Sequence, residues 1–173
     1  MSNRYASFWD LTCNALRYSV LRFELPVDPA SEAKLLAQYR MLKPFPENRG
    51  VLSHLKKGGI RTGILSNGDP PMLEAAVQSA GFTNFLNPVL SVDTIKRFKT
   101  DPAAYALGPK ALGLPAKDIL FVSSNCWDAI GARWCIWTWR QASSASFRTI
   151  RTWTSTASGA ARARAHSRPC ADR

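Results

Sequence analysis

The sequence predicts an α/β protein built on a parallel sheet, and three observations predict it. Short runs of strand type recur at 60–65, 89–92 and 119–122. Between them lie helical patterns of about ten residues, opened near a proline and closed by a glycine. Each run also stops abruptly at polar residues, as strands do where their carboxyl ends form a working edge. Alternation at this spacing builds parallel strands through right-handed crossovers.

The elements follow in order. Phe8, Leu11, Ala15, Leu16 and Val20 recur near helical spacing, with Asp10 or Thr12 as candidate caps. Pro26 and Pro29 punctuate, and Ala33, Leu35, Leu36, Tyr39 and Leu42 repeat the pattern over 31–42 until Pro44 and Pro46 break it. Val51, Leu52 and Leu55 form a short helix ending at Lys56-Lys57-Gly58-Gly59. Lysines there complement the helix dipole, and glycine suits a left-handed cap. The first strand then runs to Leu65 and stops at Ser66-Asn67-Gly68. Pro71 opens a helix through Met72, Leu73, Ala76, Val77 and Ala80, closed by Gly81. The second strand, 89–92, precedes a helix over 102–112 closed by Gly113; Pro115 and Asp118 lead into the third strand.

The bulk properties bound the function. A chain of 173 residues that is 46% hydrophobic can bury one core with a small subdomain. No apolar run reaches the ~20 residues of a spanning helix. The N-terminus lacks the basic-then-apolar pattern of a signal peptide, so a cytoplasmic protein without a membrane partner is expected. Cys13, Cys126, Cys135 and Cys170 show no C-x-x-C spacing and no neighbouring histidine, which favours plain thiols over a metal site or disulfide framework. The net charge of +11 is uneven: residues 1–128 carry +4, whereas 129–173 hold eight arginines, no lysine and one acid. A basic tail of this kind can bind polyanions. Here it coincides with a break in sequence character, so nucleic acid is not the expected partner.

The strand ends carry the chemistry. They present Ser66 and Asn67, then Asp93 with Lys99 shortly after, then Ser123-Ser124-Asn125 with Asp128. Taken singly these are ordinary: a Ser-Asn-Gly turn, a solvated lysine, an acid complementing a helix dipole, a core tryptophan at 127. Taken together, successive parallel strands bring hydroxyls, amides, one lysine and one acid to one edge.

Three ordered motifs carry a specific resemblance. Ile-Leu-Ser-Asn-Gly (64–68), Leu-Ser-Val-Asp with Arg-Phe-Lys and Asp-Pro-x-x-Tyr (90–105), and Leu-Phe-Val-Ser-Ser-Asn-x-Trp-Asp (120–128) resemble the type II (S)-2-haloacid dehalogenases of the HAD superfamily. Arg-Tyr-Ala-Ser-Phe-Trp (4–9) resembles the middle of that family's helical cap. The resemblance implies a HAD-like Rossmannoid parallel sheet, lacking its first core strand, with part of a helical cap. Its divisions are a cap portion over 1–43, the core over 44–132, and an atypical Arg/Trp/Ser-rich tail over 133–173 that is expected to be disordered or non-native.

It also implies an activity: hydrolysis of small (S)-2-haloalkanoic acids to (R)-2-hydroxyalkanoic acids through an aspartyl ester. In that scheme Ser66 and Asn67 hold the substrate carboxylate, and Lys99 balances the negative charges, with Tyr105 in the same motif. Ser123, Asn125 and Asp128 position the lysine and the hydrolytic water, and Phe8 and Trp127 wall the alkyl group and halide. No cofactor and no metal is expected. The Mg-dependent phosphatases of the superfamily carry Gly-Asp and a further Asp in the last loop. Ser123-Ser124 here leaves Asp128 as the loop's one acid, and a hard divalent cation wants several oxygen anions. Members of the family often dimerise.

Two departures from the family pattern stand out. The family's nucleophile lies in a strand ending Asp-x-Tyr-Gly-Thr-Leu, and no Asp-x-x-Gly-Thr pattern occurs in the 173 residues. Beyond residue 132 the composition suits a GC-rich gene read out of frame: four of the six tryptophans lie there, and lysine vanishes. Competing readings are an inactive fragment, a HAD-type phosphatase relative, and a basic nucleic-acid-binding accessory protein.

Overall fold

Helix starts are set by side chains that satisfy the first turn's free N–H groups. The first helix, α1 (Phe8–Arg22), is capped by Ser7, whose Oγ accepts from the Asp10 N–H. Asp10 and Thr12, expected as caps, lie inside the helix, because the apolar pattern begins one turn earlier at Phe8. Asp28 caps α2 (Pro29–Ala37), which runs on into a 3₁₀ turn at Gln38–Arg40. Pro46 opens α3 (Pro46–Lys57) rather than breaking the chain, since proline at a first helical position forfeits an N–H that has no partner anyway.

The computed structural model describes residues 4–135 and 137–141. The chain divides into two compact units, Met1–Gly113 and Leu114–Arg173.

In the first unit, β1 (Thr62–Ser66) pairs in parallel with β2 (Leu86–Ser91), connected through α4 (Pro70–Ser79). The register shifts between Thr62 and Ile64, and there Gly63 lies against Pro88: a Cβ at Gly63 would sit 2.6 Å from the Pro88 carbonyl oxygen. Glycine is what lets the strands close at that point. A 3₁₀ turn (Val92–Ile95) leads toward α5 (Pro102–Leu112), which ends on Gly113 in the left-handed conformation, as the sequence predicts. The unit's core centres on Val92, Ala104 and Tyr105, all fully buried. Full burial of a side chain the size of Val92 contributes about 1.5–3 kcal/mol.

In the second unit, β3 (Leu120–Ser123) leads through α6 (Cys126–Trp134) to β4 (Thr138–Gln141), again a parallel pair. Phe121 and Trp137 are buried, their rings edge to face at 5.3 Å. Helix α6 runs across residue 132, the expected end of the core, and β4 lies beyond it. Thr138 and Trp139 are strand-forming types, and the alternating aromatic and β-branched run supports pairing whatever its origin. Residues 142–173, the rest of the expected tail, lie outside the described residues. None of the described helices is long and apolar enough to cross a membrane.

Candidate active site

The first unit gathers its polar residues just past β1 and β2. Ser66 ends β1, and its Oγ accepts from the Gly68 N–H at 3.1 Å, which leaves the hydroxyl proton to donate elsewhere. Asn67 follows, and its Oδ1 accepts from the Lys99 backbone N–H at 3.0 Å, which leaves the amide NH₂ as a donor. Ser91, buried at the end of β2, bolts the two loops together. It donates to the Gly68 carbonyl at 2.6 Å and accepts from the Asp93 N–H at 3.1 Å. Lys99 is half-buried, with its Nζ 6.0 Å from the ring centroid of the fully buried Tyr105. A hydroxyl donor, an amide donor and an ammonium on adjoining loops are suited to a small carboxylate.

Beside these groups lies an aromatic and ionic cluster that motif reading does not single out. The Tyr5 hydroxyl donates to Asp93 Oδ1 at 2.6 Å, and Lys96 Nζ reaches both Asp93 oxygens at 2.9 Å. Lys96 also stands 4.9 Å above the Tyr5 ring. Burial first, then the bond to Asp93 and the charges of Asp93 and Asp69, push the Tyr5 phenol well above its ordinary range. The Tyr5 bond, and after it Lys96, hold the Asp93 carboxyl below the usual carboxylate range. Tyr5 stacks on Phe98 at 5.2 Å, and Phe8, half-buried at the start of α1, meets the same ring edge-on at 6.2 Å. Asp69 accepts from the Trp9 backbone N–H at 3.2 and 3.3 Å. Sequence reading noted Asp93 only as a strand-end residue and did not single out Tyr5, Asp69 or Ser91 for any role. The one signal available is position: Tyr5 and Ser91 lie inside the motifs at 4–9 and 90–105, and Asp69 directly follows the one at 64–68.

In the second unit's loop Ser123 bonds two near neighbours in sequence. Ser123 Oγ donates to Asp128 Oδ2 at 3.0 Å and accepts from the Asn125 N–H at 3.2 Å. Asp128 is 5% exposed, although it lies in the first turn of α6. Asn125 is the N-cap residue of α6, yet its exposed side chain makes no cap bond. Trp127 is 47% exposed. Among the described residues no three His, Cys, Asp or Glu side chains gather as a metal site.

Residues 7–135 match the family model of haloacid dehalogenase-like hydrolases. The chain is 41% identical over 134 residues to the (S)-2-haloacid dehalogenase of Pseudomonas sp. (strain YL), covering 78% of this chain and 58% of that protein. It superposes on the crystal structure of an L-2-haloacid dehalogenase with a TM-score of 0.77 and 52% identity, covering 79% of this chain and 60% of that one. Another similar structure is the L-2-haloacid dehalogenase from Xanthobacter autotrophicus with chloropropionic acid covalently bound. There the TM-score is 0.73 and the identity 34%, over 90% of this chain and 64% of that one. The chain thus spans 58% to 64% of the length of these three proteins.

Proposed function

This chain belongs to the haloacid dehalogenase-like hydrolases, and from that premise we propose that it carries the substrate-holding part of a hydrolase that cleaves the carbon–halogen bond of small (S)-2-haloalkanoic acids. One observation supports the reading above the others: the 3.0 Å bond from the Lys99 N–H to Asn67 Oδ1, which ties the lysine segment to the Ser-Asn pair. Ser66 and Asn67 then grip the substrate carboxylate with O–H and N–H donors, and the Lys99 ammonium offsets its charge.

The chemistry proceeds in two steps. An aspartate carboxylate attacks C2, the C–X bond breaks, and the halide leaves with its electron pair, inverting C2. Water then adds to the acyl carbon of the ester, so that the C2–O bond survives and the product is the (R)-2-hydroxy acid. The family's Asp-x-x-Gly-Thr pattern is absent from the 173 residues, so the attacking carboxylate is assigned outside them. The Ser123-bonded carboxylate of Asp128, with Asn125 beside it in sequence, is assigned to the hydrolytic water. A haloacid carries one negative charge, which a lysine can balance without a cation, and Ser123-Ser124 offers no second carboxylate for one.

The test is halide release from (S)- and (R)-2-chloropropionate. A strand ending Asp-x-Tyr-Gly-Thr-Leu, grafted ahead of Met1, is expected to give chloride from the (S) acid alone, and Lys99→Ala to abolish it. The ungrafted chain is expected to release none; chloride from it would place the nucleophile within these residues. Release from both enantiomers, or release indifferent to Lys99, contradicts the proposed role.

A further inference from the structure

Residues 5–9 touch the first unit's strand-end loops at both ends of the segment. At one end the Tyr5 hydroxyl bonds Asp93, 88 residues away in sequence. At the other the Trp9 N–H bonds the Asp69 carboxylate, 60 residues away. Ser7 already caps α1 by accepting from Asp10, so Asp69 serves a different free N–H of the first turn. A carboxylate at the positive end of α1 makes that bond charge-assisted. Asp69 lies two residues past Asn67, and the 3₁₀ turn holding Asp93 and Lys96 leads directly to Phe98 and Lys99. Phe8, between the two anchors, leans edge-on against Phe98. The loops that carry the carboxylate donors are therefore the loops that hold the Phe8 segment.

We infer that residues 5–9 act as a strap anchored at two points, Tyr5 on Asp93 and Trp9 on Asp69, which fixes the position of Phe8 and so sets the size of C2 substituent the site accepts. Tyr5 and Asp69 are positioning residues in this scheme, and neither touches the reacting atoms. The inference rests on the haloacid reading, in which Phe8 walls the alkyl group. Burial and the Asp93 bond keep the Tyr5 phenol protonated, and so a donor, throughout the neutral range. A purely structural tie would affect the binding of all haloacids alike. A strap that places an alkyl wall discriminates by chain length, because chloroacetate has no alkyl group at C2.

The test uses the 173-residue chain, with chloroacetate and (S)-2-chlorobutanoate as probes followed by NMR titration. Tyr5→Phe keeps the ring stack and removes only the hydroxyl; Asp69→Ala removes the other anchor. Each is expected to weaken chlorobutanoate binding about tenfold while changing chloroacetate less than about twofold, on the scale of a misplaced methylene contact. Asp69→Asn, which keeps an acceptor oxygen, is expected to retain the preference. Hydrogen exchange at the Trp9 amide is expected to quicken in Asp69→Ala. Equal losses for both acids, or an unchanged preference with an unchanged Trp9 amide, overturn the strap and leave the haloacid reading standing. A wild-type chain that binds neither acid sinks the haloacid reading and the strap with it.

Discussion

The two polar loop systems of this molecule differ in the span of their described bonds. After β3, Ser123 bonds Asp128 five residues on and the Asn125 N–H two residues on, so one short stretch shapes itself. After β1 and β2, local bonds such as Gly68 to Ser66 and Asp93 to Ser91 are joined by long-range ones: Lys99 to Asn67 across 32 residues, Ser91 to Gly68 across 23, Tyr5 to Asp93 across 88. A local loop can form as soon as its strand and helix do. A loop tied across the chain exists only once the unit around it has folded, because each such bond first costs the entropy of bringing distant segments together. The first unit's loops carry the donors assigned to the substrate carboxylate. Their geometry is therefore the more easily lost.

The contrast can be broken by perturbing each side. The larger effect is expected at Ser123→Ala, which strips the buried Asp128 of a donor and the Asn125 N–H of its acceptor. A loss of about 0.5–1.5 kcal/mol is expected for each hydrogen bond removed. Denaturant unfolding measures the loss, and amide exchange should show it confined to 123–134. Faster exchange spread over β1 and β2 would mean that the loop is not local in its energetics.

A smaller and more diagnostic effect is expected from pH. The Tyr5 bond and Lys96 hold the Asp93 carboxyl below its ordinary value, so the folded state binds that proton less readily than the unfolded one. The stabilisation is complete above the unfolded carboxylate range, near ~3.9, and is lost as pH falls through the lower folded value. Asp93→Asn should flatten this acid limb of the stability curve, and an unchanged limb would show that the tie contributes nothing.

The same contrast governs what could be read in the sequence. The Ser-Ser-Asn-x-x-Asp loop was legible where both bonds of Ser123 lie within one motif. Helix α5 was legible to the residue, since Pro102 and Gly113 are local signals at its two ends. The start of α3 was not, because a proline reads equally as a breaker and as a first helical residue, and packing decides between them. Strand β2 begins at Leu86, before the expected 89: Asn87-Pro88 has the composition of a turn, yet it lies in the strand with Pro88 against Gly63. Tyr5, Asp69 and Ser91 escaped notice for the reason that Tyr5–Asp93 is long-range: nothing in a sequence window pairs residues 88 apart. Strand β4 was passed over because its unusual composition outweighed a strand-forming pattern.

Binding of (S)-2-chloropropionate to the 173-residue chain, compared between wild type and Lys99→Ala, tests most directly whether the long-range loops make a carboxylate cradle. The expected result is saturable binding in which chemical shifts change at Ser66 and Asn67, weakened about tenfold or more when a charge-assisted partner is removed. Equal affinity in the two proteins, or shifts confined to residues remote from β1 and β2, would contradict it.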